Sequence, residues 1–141
     1  MTHVRESLRD RAVTTLTGLA TTGSNVFGAR VFALKATEIP ALLIFTEEEE
    51  PFDDGETMGN DYVMAMQLVV RVMVGEPTSV EDQADLILEE VQAAWGTDRR
   101  LNNLALQTRY AGRSATTYSK EGDREFGTFD IFFMVLYEVT V

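Results

Sequence analysis

No cysteine occurs among the 141 residues, and histidine occurs once, at His3. The first absence removes disulfides, thiolate nucleophiles and thiolate metal sites together. The second, with that histidine placed near a chain end, removes the Ser-His-Asp and Cys-His constellations and imidazole zinc sites. Neither the Walker A pattern nor the dinucleotide glycine fingerprint is present. No run approaches the roughly 20 apolar residues that cross a bilayer, and the segment from Met1 to Glu6 lacks the apolar core of a signal peptide. A soluble, non-secreted chain without membrane association is expected. Cations are few: 12 Lys and Arg stand against 23 Asp and Glu, a formal net charge of −11. That balance opposes nucleic-acid binding, which draws on clustered cations that displace phosphate counterions.

A hydrophobic fraction of 45% and a charged fraction of 25% are those of an ordinary globular chain, so one domain over residues 1–141 is expected. Val4, Leu8, Ala12, Leu16, Leu19 and Ala20 recur at helical spacing and predict a first helix ending at a Gly23 cap. Arg30–Leu34 is a candidate short strand and Ile39–Phe45 a better one, with Pro40 at its start. Seven of the eleven residues from Thr46 to Glu56 are acidic, among them Glu47, Glu48, Glu49, Glu50, Asp53 and Asp54. Like charges beside Pro51 and Gly55 predict a long mobile loop.

Tyr62 to Val74 alternates as a long strand, with Tyr62, Met64, Met66, Leu68, Val70, Val72 and Val74 on one face. The other face, carrying Gln67 and Arg71 beside Val69, is partly apolar. Ser79 opens a second helix, whose stripe of Val80, Ala84, Ile87, Leu88, Val91, Ala94 and Trp95 ends at Gly96. Leu104–Thr117 predicts a strand, Ser119–Arg124 a polar turn, and Phe129–Val141 a closing strand. That last strand is apolar on both faces at its centre and is expected to be covered on both sides, a neighbouring subunit supplying what the helices do not. The order predicts an α+β fold: a mixed, mostly antiparallel sheet with two helices packed on it.

Little here points to chemistry. The acidic stretch offers carboxylates to a hard cation, but Asp53-Asp54-Gly55-Glu56 lacks the ligand spacing of an EF-hand, and no carboxylate pair is singled out for acid–base work. No cofactor or metal is expected. Trp95, Phe129, Phe133 and Tyr137 sit at core spacing rather than forming a ligand platform.

Read in order, nearly the whole chain resembles the lambda-type phage tail terminators, the minor tail protein U family. The resemblance is carried by Val26-Phe27-Gly28-Ala29-Arg30-Val31, by Glu38-Ile39-Pro40-Ala41-Leu42-Leu43-Ile44, and by the acidic stretch from Glu47 to Glu56 leading into Tyr62. The Ser79–Trp95 helix, the Leu101-Asn102-Asn103-Leu104 connection and the closing Val135-Leu136-Tyr137-Glu138-Val139 continue it, whereas the four-glutamate run and Gly122–Gly127 depart from it. The resemblance implies a structural subunit and no enzyme. It implies a homo-oligomeric, hexameric ring that caps the tail tube, ends its polymerisation and joins the tail to the head.

The implied partners are the tail tube protein and a head–tail connector protein, with DNA passing through the channel unbound. The implied location is the virion tail, with assembly in the host cytoplasm. Glu47, Glu48, Glu49, Glu50, Asp53 and Asp54, with Arg71, Arg99, Arg100, Arg109 and Arg124, are the expected subunit or tube contacts. Another neck component, such as a head completion protein, is the alternative, followed by a small acidic binding module.

Overall fold

A computed structural model describes residues 4–28, 40–51, 61–75, 80–121 and 124–140. The elements run α1 (Val4–Leu16), β1 (Val26–Gly28), β2 (Ala41–Pro51), β3 (Asp61–Val74), α2 (Val80–Gly96), β4 (Gln107–Arg113), β5 (Thr117–Glu121) and β6 (Arg124–Thr140). They form an α+β fold with six strands ordered β1-β2-β3-β6-β4, β5 pairing with β6 beyond β4. Among the described residues only the β1–β2 pair is parallel. No helix among the described residues is long and apolar enough to cross a membrane.

The two helices pack on one sheet face, α1 over β1 and β2, α2 over β3 and β6. Alternation dictates what meets them. Leu68, Val70 and Val72 of β3 and Phe129, Ile131, Phe133, Val135 and Tyr137 of β6 are buried there, against Leu8, Ala12 and Leu16 of α1 and Ala84, Ile87, Val91 and Trp95 of α2. Burying each large aliphatic side chain contributes roughly 1.5–3 kcal/mol. Two carboxylates tie the helices together at their polar ends. Glu90 accepts hydrogen bonds from the Thr21 amide and hydroxyl at 3.0 and 2.6 Å. Asp98, just past α2, accepts from Arg11 Nε and Thr15 Oγ1 at 2.8 and 2.7 Å.

Several expectations are corrected. The first helix stops at Leu16 rather than Ala20, because Gly18 takes φ +95 and turns the chain before Gly23 is reached. The acidic run is not a loop through Glu50: Ala41–Pro51 is one strand, with Glu49, Glu50 and Pro51 opposite Met66, Ala65 and Met64. Leu104–Thr117 divides into β4 and the start of β5, and the expected turn at Ser119–Arg124 is strand through Glu121 and again from Arg124. The Arg30–Leu34 candidate lies outside the described residues, as do residues 52–56 of the expected acidic loop.

The bulge in β2 explains how a glutamate run sits in a sheet. Thr46 pairs with Leu68 and Glu49 with Met66, so one extra residue is inserted between them. The insertion reverses the alternation and turns Glu49 toward the helix side. There its carboxylate accepts the Tyr137 phenol hydrogen and pairs with Arg5 Nη1 at 3.3 Å. Burial, and then the Glu49 carboxylate, hold the Tyr137 phenol protonated far above its ordinary range. Glu47, Glu48 and Glu50 stay exposed, where solvent screens their repulsion.

A candidate assembly interface

The helices cover one sheet face; the second, which the closing strand is expected to lend to a neighbouring subunit, carries no helix among the described residues. Cross-strand register lays out what the open face presents. One row runs Phe45, Val69, Phe132 and Gly112 across β2, β3, β6 and β4; the next holds Gln67, Met134 and Arg109; a third holds Glu50, Ala65, Leu136 and Gln107. Val69 and Ala65 are buried by their neighbours, while Phe45, Phe132, Met134 and Leu136 are half-buried. A band of apolar side chains thus crosses four strands. At Gly112 a second bulge shifts β4 against β6 and φ is +111, a conformation that favours glycine.

Charge borders the band on both sides. At one end Arg71 forks onto Asp130, its cross-strand partner, with Nε at 2.8 Å and Nη2 at 3.2 Å from the two carboxylate oxygens. Its guanidinium also lies 4.9 Å from the centre of the Phe45 ring. That hydrogen-bonded carboxylate raises the Arg71 pKa further above its ordinary value. At the other end Glu50 and Arg109 bracket a concavity of about 280 Å³ floored by Ala65, Met134 and Leu136.

Of the residues expected to make contacts, Arg71 and Glu50 therefore lie on the open face. Arg109 lies at the rim of that face, Arg99 is exposed beside β4, and Arg100, also exposed, donates from Nε to the Ala105 carbonyl at 3.3 Å just ahead of β4. Glu47 and Glu48 form the β2 bulge and Glu49 is turned inward. Arg124 opens β6, and Asp53 and Asp54 lie outside the described residues.

Sequence reading missed Arg113. Its guanidinium lies 4.0 Å from the centre of the Phe129 ring, donates from Nη2 to Thr116 Oγ1 at 2.8 Å, and pairs with Asp85 of α2 at 3.7 Å. No local signal marks it, since its meaning comes from a ring sixteen positions on and a helix twenty-eight positions back.

Because Arg71 holds Asp130 across the β3–β6 register, substituting it perturbs the fold as well as any contact with a neighbour. Arg71→Glu places two carboxylates directly opposite each other and is expected to lower stability by about 1 kcal/mol. Arg71→Gln keeps a donor there and should cost less. Urea unfolding of both variants separates this effect on the fold from any effect on association. Equal stability of Arg71→Glu and wild type would remove the pair from the account.

No family model matches the sequence, and no curated protein matches it. Among solved structures the chain is similar to one titled "Virion of native gene transfer agent (GTA) particle", with 15% identity and a TM-score of 0.40, covering 96% of this chain and 92% of that one.

Proposed function

We propose that this chain is a non-catalytic structural subunit of a tailed-phage or phage-like particle, a tail terminator that assembles as a ring, most simply of six copies, on the end of the tail tube. The observation that carries the assembly reading is the open sheet face. A band from Phe45 to Leu136 is apolar at its centre, charged at both borders and uncovered among the described residues. Lasting interfaces share that anatomy, apolar within and polar at the rim. The terminator role rests on the resemblance of sequence order, and with it the partners: the tube protein on one side of the ring and a head–tail connector on the other.

The net charge of −11 fits the same role in two ways. Mutual repulsion keeps free subunits dispersed until a template or a high concentration brings them together. A ring of acidic chains also lets DNA pass without holding it, because the polyanion meets no cluster of cations to bind. Electron microscopy and sedimentation of the purified chain over a rising concentration series, alone and with tube protein, provide the test. Closed rings that cap tube ends are expected. Particles that remain monomeric under both conditions would defeat the proposal.

A further inference from the structure

We infer that the β4 edge takes up an extended acidic segment of a partner protein as a further strand, whose alternate side chains seat on the two faces of the sheet. β4 ends the strand order and pairs with β6 alone, so its outer side has no strand partner among the described residues. The chain is described without a break from Val80 to Glu121, which accounts for what precedes and follows this strand. Residues 29–39 and 52–60, outside the described residues, start and end at β1, β2 or β3, across β6 from this edge. Such an edge presents N–H and C=O groups that an added strand can satisfy.

Two concavities meet on β4, one on each sheet face, and Gln107, Thr108 and Arg109 line both. On the helix side Trp95, Tyr110 and Phe133 floor a notch of about 360 Å³ with Arg99 at its rim. On the other side Ala65, Met134 and Leu136 floor one of about 280 Å³. Successive side chains of a strand point to opposite faces, so a single extended segment along β4 reaches both.

Charge and exposed apolar surface set the partner's chemistry. Arg99 to Ser119 hold four arginines and no acidic residue, in a chain of net charge −11. Arg113 is bound to Asp85 and Arg100 to a carbonyl, whereas Arg99 and Arg109 are exposed with no carboxylate paired to them among the described residues. Of the large hydrophobic side chains exposed among the described residues, all but Leu86 lie between positions 104 and 118: Leu104, Leu106, Tyr110 and Tyr118. An edge guarded only against aggregation would carry the arginines without that apolar bed. Setting β4 against the β4 of a second copy would crowd arginines together, which is destabilising. An acidic segment with apolar side chains between its carboxylates meets both features.

Trp95, the only tryptophan of the chain, lies in the helix-side notch, so its emission reports occupancy. The probe is a blocked peptide, Val-Glu-Val-Phe-Val-Glu-Val, as long as β4, which has seven residues. One of its faces presents phenylalanine between two glutamates to the notch and Arg99, and the other presents valines to Ala65, Met134 and Leu136. The full chain should bind it with a change in Trp95 emission, and about tenfold more tightly than the same peptide with lysine for glutamate. Arg99→Glu with Arg109→Glu, with a urea midpoint near that of wild type, should reverse that preference. Methylating one alternating set of peptide nitrogens should abolish binding and methylating the other should not, since only one set faces β4. Equal affinity for the lysine peptide, or binding that survives methylation of either set, would overturn the proposal. No response at millimolar peptide would overturn it too, and loss of self-association in the reversed variant would then assign the edge to a second copy. Ring formation by the wild-type chain is a separate measurement, and the peptide results do not decide it.

Discussion

Phe133→Ala should destabilise the fold by about 3–5 kcal/mol, the upper part of the range for large-to-small changes in a core. Phe133 is 1% exposed at the middle of β6, between Leu68 of β3 and Tyr110 of β4. Its ring stacks on Trp95 with centroids 3.9 Å apart and planes 10° from parallel, and Tyr110 meets it edge-on at 6.0 Å. Aromatic pairs contribute roughly 0.5–1.5 kcal/mol beyond the area they bury.

The size of the loss also depends on whether the surroundings can collapse, and here they are held. Trp95 donates its indole N–H to Thr108 Oγ1 at 2.9 Å, and that hydroxyl donates onward to the Arg99 carbonyl. The indole therefore cannot follow a truncated side chain without breaking a hydrogen bond. Phe133→Leu keeps most of the volume and should cost roughly 1–2 kcal/mol. Tyr110→Ala removes a ring that is 41% exposed and should cost less than Phe133→Ala. Urea unfolding with an unchanged m-value measures all three. A Phe133→Ala loss below that of Tyr110→Ala would show that the stack is not central to the core.

How much of this was legible follows from the range of the interactions concerned. The faces of β3 and β6, the stripe of α2 and the core placement of Trp95, Phe129, Phe133 and Tyr137 were readable because period and apolarity are local properties. The strand character of Glu47–Glu50 was not. Neighbouring charges argue for a loop, and what overrides them is pairing with Met64–Met66 and a bulge that finds Glu49 two partners, one of them 88 positions away.

The apolar second face of β6 was legible as a pattern, but that it carries no helix among the described residues needed the fold, because only the tertiary arrangement places both helices on the other side. Arg71 was singled out as a cation for a neighbouring subunit, yet its first partner is Asp130 in its own chain. Sequence spacing gives no register between strands 59 residues apart. Glu90 and Asp98 escaped notice for the same reason: in sequence they are two more acids in an acidic chain.

Asp98→Ala is expected to cost about 2–4 kcal/mol, since hydrogen bonds to a charged group are worth roughly 1.5–3 kcal/mol each and these share one acceptor group. Oδ2 takes Arg11 Nε and Thr15 Oγ1 from α1, and Oδ1 takes the Asn102 amide at 2.9 Å. That last bond holds an unusual turn. Leu101, Asn102 and Asn103 have φ of 48, 57 and 64, a left-handed run that L-residues other than glycine enter at a cost of roughly 1–2 kcal/mol each, less for asparagine. The turn inserts Leu101, which is fully buried, and returns the chain so that β4 can pair with β6.

Burial alone would push the Asp98 carboxyl up, but the hydrogen bonds from Thr15, the Asn102 amide and Arg11 together hold it below the ordinary 3.8. A depressed folded value means that the unfolded chain binds the proton more readily. The stabilisation is therefore complete above the unfolded value near 3.8 and disappears as pH falls through the lower folded value. Asp98→Asn preserves shape but offers Arg11 and Thr15 an amide that can accept at only one of its two heavy atoms. It should lose stability at neutral pH and show a shallower decline toward acid than wild type. Urea midpoints measured from neutral pH down to about pH 3 give both curves. Parallel curves for wild type and Asp98→Asn would mean that this carboxylate does not hold α1 to the turn.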